Sequence, residues 1–144
     1  MMGKWFLRLF GSGRLPAEGA RLIAADPTAL VAESLVCSVT VVNFRAPGRY
    51  SAWRRQWFLG SLAVAKDRLA AYRYRQRLVN VPWDDPRLRQ IKFSVPEPGC
   101  LLLAYEASLF QPTWSGTIEL RFTTAEADRI LRAIEASVAR RGGT

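Results

Sequence analysis

Apolar and polar positions along the chain change period once, late, and that change organises the sequence. Residues 117–123 (TIELRFT) alternate strictly, with Ile118, Leu120 and Phe122 on one side and Thr117, Glu119 and Arg121 on the other, the pattern of a half-buried strand. From residue 124 the period becomes helical: Ala127, Ile130, Leu131, Ile134 and Val138 fall on one face of a helix expected over 124–139. Thr123 and Glu126 read as its capping box, acidic residues come early and arginines late, and Gly142-Gly143 ends it.

Upstream the pattern is a succession of extended runs. Runs over 20–25 and 28–33 are divided by Asp26-Pro27, and 35–44 (LVCSVTVVNF) is the clearest β-branched strand. After Ala46-Pro47-Gly48 the chain resumes as a strand over 53–64, and 61–75 reads as a hairpin turning at Lys66-Asp67. Strands are expected at 78–83, 88–95 and 100–107, separated by turns at Asp84-Asp85-Pro86 and Pro96-Glu97-Pro98-Gly99. These elements predict an α+β domain: an antiparallel, barrel-like or bent sheet of seven to eight strands closed by one C-terminal helix.

Several residues in this pattern resemble the pleckstrin-homology-like (PH-like) superfold, including its GRAM and bacterial branches. The stretch Gly60-Ser61-Leu62-Ala63-Val64-Ala65-Lys66-Asp67-Arg68-Leu69 is similar to the G-x-L-x-V-T-x-x-R-L hairpin of such domains, with Ala65 where threonine is usual. The strand 117–123 running into helix 124–139 resembles the C-terminal plug of that fold, and the likeness spans about residues 18–140. It implies a PH-like domain over 17–144, preceded by a basic-aromatic segment, 1–16, that is either a short helix or disordered. It further implies a binding module, since such domains take phosphoinositides, peptides or ubiquitin-like partners. In the lipid-binding members a basic signature covers the first two strands. The segment here that is similar, Phe44 to Trp57, carries Arg45, Arg49, Arg54 and Arg55, but Gln56 and Trp57 follow Arg55 where the family repeats a basic residue.

Charge sharpens the picture. Of a net +9 over 144 residues, the whole excess resides in residues 45–92, where twelve Lys/Arg face three Asp. A field so localised favours anionic lipid headgroups, an acidic protein or, as the alternative, nucleic acid. Arg73, Arg75 and Arg77 recur at period two, which predicts three guanidinium groups on one strand face. Tyr50, Trp53, Trp57 and Phe58 beside Arg54 and Arg55 read first as core residues alternating with surface charge. The same interleaving also suits a nucleic-acid stacking platform or a membrane interface. Lys4, Trp5, Phe6 and Arg8, within 3–10, form a candidate membrane contact.

Catalysis finds little support. The chain has no histidine, which removes the Ser-His-Asp and Cys-His nucleophilic systems and histidine general bases. Cys37 and Cys100 sit in apolar runs and read as small buried hydrophobes, and two thiols make no zinc site. No cofactor is expected. No apolar run approaches the ~18 residues of a membrane span and no leader is evident, so the expectation is a cytoplasmic binding protein, with at most peripheral membrane contact.

Overall fold

In the computed structural model, residues 29–142 and Arg21 are described. Seven antiparallel strands form a single sheet in the order β4-β3-β2-β1-β7-β6-β5. They are β1 (Leu30–Ala46), β2 (Arg49–Val64), β3 (Arg68–Arg73), β4 (Gln76–Pro82), β5 (Lys92–Glu97), β6 (Cys100–Glu106) and β7 (Ser115–Thr123). The sheet curls into a half-barrel, and one helix, α1 (Ala127–Gly142), caps it. This is the expected α+β, PH-like arrangement.

The inner face follows from alternation. Cys37 on β1 stands opposite Phe58 on β2 and Phe122 on β7. Leu62 faces Ala71, Val64 faces Leu69, and Leu103 faces Leu120 across their strand pairs. All these side chains are buried and share one core with Ile130 and Ile134 of α1. The helix reaches them from one end of the half-barrel, against β5, β6 and β2. Leu131 and Val138, on the same expected apolar stripe, are only half-buried at its margin.

Several boundaries differ from the sequence expectation, each for a local reason. The expected runs at 28–33 and 35–44 are one strand, β1. It absorbs the break as a bulge between Ala32 and Leu35, with Ser34 in the left-handed region at φ 58°. The run at 20–25 lies outside the described residues except for Arg21, which is helical. The strand expected over 88–95 is displaced. Pro86–Gln90 form a short 3-10 turn instead, because Asp85 caps it by accepting from the Arg87 N–H at 2.9 Å, and β5 begins only at Lys92. The helix cap is Thr124 rather than Thr123: its Oγ1 accepts from the Glu126 N–H at 3.1 Å.

Two contacts tie the loops to the sheet. The Trp83 indole Nε1 donates to the Ala65 carbonyl at 2.8 Å, joining the end of β4 to the β2–β3 turn. Gly60 lies where a Cβ would come within 2.7 Å of the Tyr72 carbonyl oxygen and 3.0 Å of Cys37 Sγ. Gly60 is therefore required by close approach of neighbouring strands. Cys37 itself donates to the Leu35 carbonyl, and burial pushes its thiol up to about 12. Cys37 and Cys100 are both free and buried.

Two predictions concern stability. Ile134→Ala should cost about 2–5 kcal/mol in chemical denaturation, as truncation of a fully buried aliphatic does, and Gly60→Ala about 1–3 kcal/mol by overpacking; a loss under about 0.5 kcal/mol at either site would contradict the packing described. The second concerns pH. Hydrogen bonds from the Arg87 guanidinium, the shortest at 2.7 Å, hold the Asp85 carboxyl below its ordinary value. A depressed folded value means that the pair stabilises the fold above the unfolded carboxyl value of about 4. That contribution disappears as pH falls through the folded value. Arg87→Ala should therefore lower the denaturation midpoint at neutral pH, and the difference from the wild type should shrink in acid as the Asp85 contribution is lost.

Candidate functional site

With α1 over one end, the half-barrel remains open at the other, where β2 changes character. Its inner face is apolar at Phe58, Leu62 and Val64, within the core. Two pairs nearer the β1–β2 turn, the same face carries Gln56 opposite Val39 and Arg54 opposite Val41. Alternation is maintained, but these positions have left the core and meet solvent, so polar residues occupy them.

A recess of about 290 Å³ opens there. Its apolar floor includes Val39, Val41, Phe44, Ile118 and Leu120 from β1 and β7. One wall comes from the segment after β6. Phe110 packs edge-on against Tyr105, with ring centroids 5.3 Å apart, and Trp114 meets Phe44 in the same way at 5.3 Å. The Arg87 guanidinium lies over the Phe110 ring, 4.8 Å from its centroid. A backbone bond from the Trp114 N–H to the Gln111 carbonyl at 2.8 Å holds that segment folded. Burial pushes the Tyr105 hydroxyl up to about 12, so it remains a neutral donor at physiological pH.

Four arginines line the recess: Arg49 and Arg54 from β2, Arg73 from the end of β3 and Arg77 from the start of β4. Among the described residues no Asp or Glu lines it. Arg73 is steadied by the Phe58 ring, 5.2 Å from its guanidinium carbon. With charges of one sign around an apolar floor, the recess suits an anionic group, or an anionic group attached to an apolar one.

The expected arginine groups are rearranged. Arg73, Arg75 and Arg77 do not share a strand face. The chain reverses at Tyr74, whose φ is +55°, so Arg73 ends β3, Arg75 occupies the turn and Arg77 belongs to β4. Period-two spacing assumed a continuous strand, and the hairpin breaks it; pairing across that hairpin nonetheless brings Arg73 and Arg77 to one rim. Of the other group, Arg49 and Arg54 reach the recess. Arg45 instead stacks over Tyr50 at 4.9 Å. Arg55 points from the opposite face of β2, donates through Nε to Thr40 Oγ1 at 2.8 Å, and lies 5.4 Å from the Trp53 ring.

The aromatic reading needs correction as well. Phe58 is core, but Tyr50, Trp53 and Trp57 are 59%, 60% and 63% exposed. Trp53 and Trp57 fall on the outer face, opposite Val42 and Ser38 of β1 and outside the core that Phe58 joins. Phe44, Tyr105, Phe110 and Trp114 were not anticipated as site residues. Their one sequence signal was a pair of aromatics flanking Gln111-Pro112-Thr113 just after a strand. Lys4, Trp5, Phe6 and Arg8 lie outside the described residues. Among the described residues no three His, Cys, Asp or Glu side chains gather where they could hold a metal ion.

No family model matches the chain, and no curated protein is significantly similar to it.

The exposure pattern has a direct test. Phe58→Ala should cost about 3–5 kcal/mol, whereas Trp53→Ala should change stability by no more than about 0.5 kcal/mol. Equal losses at the two positions in urea denaturation would contradict the assignment of Trp53 to an open face.

Proposed function

We propose that this chain is a non-catalytic, PH-like binding module that engages an anionic surface through the arginine-rimmed open end of its half-barrel. The observation that carries this reading is the convergence of Arg49, Arg54, Arg73 and Arg77 on one recess that no carboxylate among the described residues lines. Each guanidinium adds to the local potential, and groups within a Debye length of about 8–10 Å reinforce one another. Lipid phosphates or the carboxylates of an acidic protein surface are the matching chemistry.

A binding role, rather than catalysis, accords with the residue types available. The chain has no histidine, and among the described residues that line the recess no side chain is suited to act as a general base near neutral pH. Among the described residues no helix is long and apolar enough to cross a membrane, so the contact proposed is peripheral. The nucleic-acid alternative draws on the same arginines. It differs in ligand geometry, since a nucleic-acid strand needs a continuous track of charge whereas a headgroup needs a local cluster.

Cosedimentation with vesicles of phosphatidylserine and phosphatidylcholine at low and high salt tests the proposal. At about 1 kcal/mol per basic residue near an anionic bilayer, the wild type should partition measurably at low salt and detach at high salt. Arg54→Glu combined with Arg73→Glu should reduce partitioning by more than about tenfold while leaving the circular dichroism spectrum unchanged. Partitioning that survives both substitutions, or a preference for single-stranded oligonucleotide over vesicles in the same buffer, would overturn it.

A further inference from the structure

Pairing along β2 is one-sided over most of its length. It pairs with β1 from Arg49 to Val64, whereas β3 pairs only with Gly60 to Val64. The last bond on the β3 side runs from the Tyr74 N–H to the Leu59 carbonyl at 3.1 Å. Residues 49–58 therefore present one backbone edge that no described strand pairs. Ten residues of extended chain span roughly 33 Å, more than an ordinary strand needs.

Long open edges invite pairing and are commonly blunted with charge. Arg49, Arg54 and Arg55 supply charge here, and 49–64 contains no acidic residue. Charge alone does not account for the aromatics. The large hydrophobic side chains exposed among the described residues are Tyr50, Trp53, Trp57 and Tyr74, and all belong to this edge or to the turn beside it. Trp53 and Trp57 flank Arg55 on the outer face, and Arg55 is held in place by Thr40. Exposed tryptophans clustered around a fixed arginine are the composition of a protein-contact hot spot.

We propose that the edge of β2 over residues 49–58 is a strand-addition site for an extended acidic segment of a partner protein. The backbone edge supplies main-chain hydrogen bonds, Trp53 and Trp57 pack on alternate side chains of the incoming strand, and the arginines attract its carboxylates. A second copy of this chain is disfavoured, because β2 against β2 sets arginines beside arginines. A bilayer or a nucleic-acid strand would use the tryptophans and the charge but not the main-chain edge; an added strand uses all three. The edge shares Arg49 and Arg54 with the recess, but Trp53, Arg55 and Trp57 point away from the face that carries Arg54 and do not line it.

The test titrates the full chain with a capped ten-residue Glu-Val peptide of repeat Glu-Thr-Val-Thr, whose period sets Glu and Val in turn on one face of an added strand, and reads amide hydrogen exchange at residues 49–58. Alternate amides in that stretch should become protected. Trp53→Ala with Trp57→Ala, and separately Arg55→Glu, should weaken binding by at least about tenfold. The matching Lys-Val peptide should not bind. Methylating alternate peptide nitrogens should abolish binding in one register and spare it in the other. Failure of the Glu-Val peptide to bind, unchanged exchange at 49–58, or equal binding of both methylated registers overturns the proposal. It also falls if the tryptophan substitutions impair attachment to anionic vesicles or oligonucleotide and leave the peptide untouched.

Discussion

A curled sheet of seven strands has two ends, and its inner face stays dry only where something apolar closes them. Here, among the described residues, a single helix closes one. The burial of Ile130 and Ile134 against Leu101, Leu103 and Phe122 is the contact on which the rest depends. It removes one end of the core from solvent and leaves the other as the place where inward-facing positions emerge into water. The core is completed by tight approach of β1, β2 and β3 at Gly60, where even a methyl group would strike the Tyr72 carbonyl.

The character of the open end follows from that asymmetry. On β2 the inward positions run from Val64, Leu62 and Phe58, in the core, to Gln56 and Arg54, beyond it. A single strand thus serves as core wall and, from Gln56 to Arg54, as polar rim on the same face. The hairpin at Tyr74 returns the chain so that Arg73 and Arg77 join the same rim. Cation–π contact of Arg73 with Phe58 couples the rim to the core beneath it.

The length of β2 has a second consequence. Strands β1 and β2 extend beyond the reach of β3, so β2 carries an unpaired edge and an outer face on which Trp53 and Trp57 are exposed. The two faces of one strand therefore offer different chemistry: an anion-suited recess on the inner side, and an aromatic edge with its own arginine on the outer.

The sequence by itself determined the alternation of β7, the helical face of α1, the β2–β3 turn at Lys66-Asp67 and hence the capped antiparallel sheet, because periods of two and 3.6 are local consequences of backbone geometry. It also located the charge in residues 45–92, since charge is counted along the chain. It did not determine which arginines converge. Arg75 was separated from Arg73 and Arg77 by a backbone reversal that no glycine signals, and Arg55 was separated from Arg54 by the pleat. Nor did it distinguish Phe58, buried, from Trp57, exposed: both are large aromatics in one run, and burial depends on which face the helix and the other strands enclose. Phe110 and Trp114 became a wall of the recess only through their packing on Tyr105 and Phe44, residues near in space and set by the sheet order. Those decisions belong to the tertiary structure, because convergence and burial depend on long-range strand pairing rather than on any local repeat.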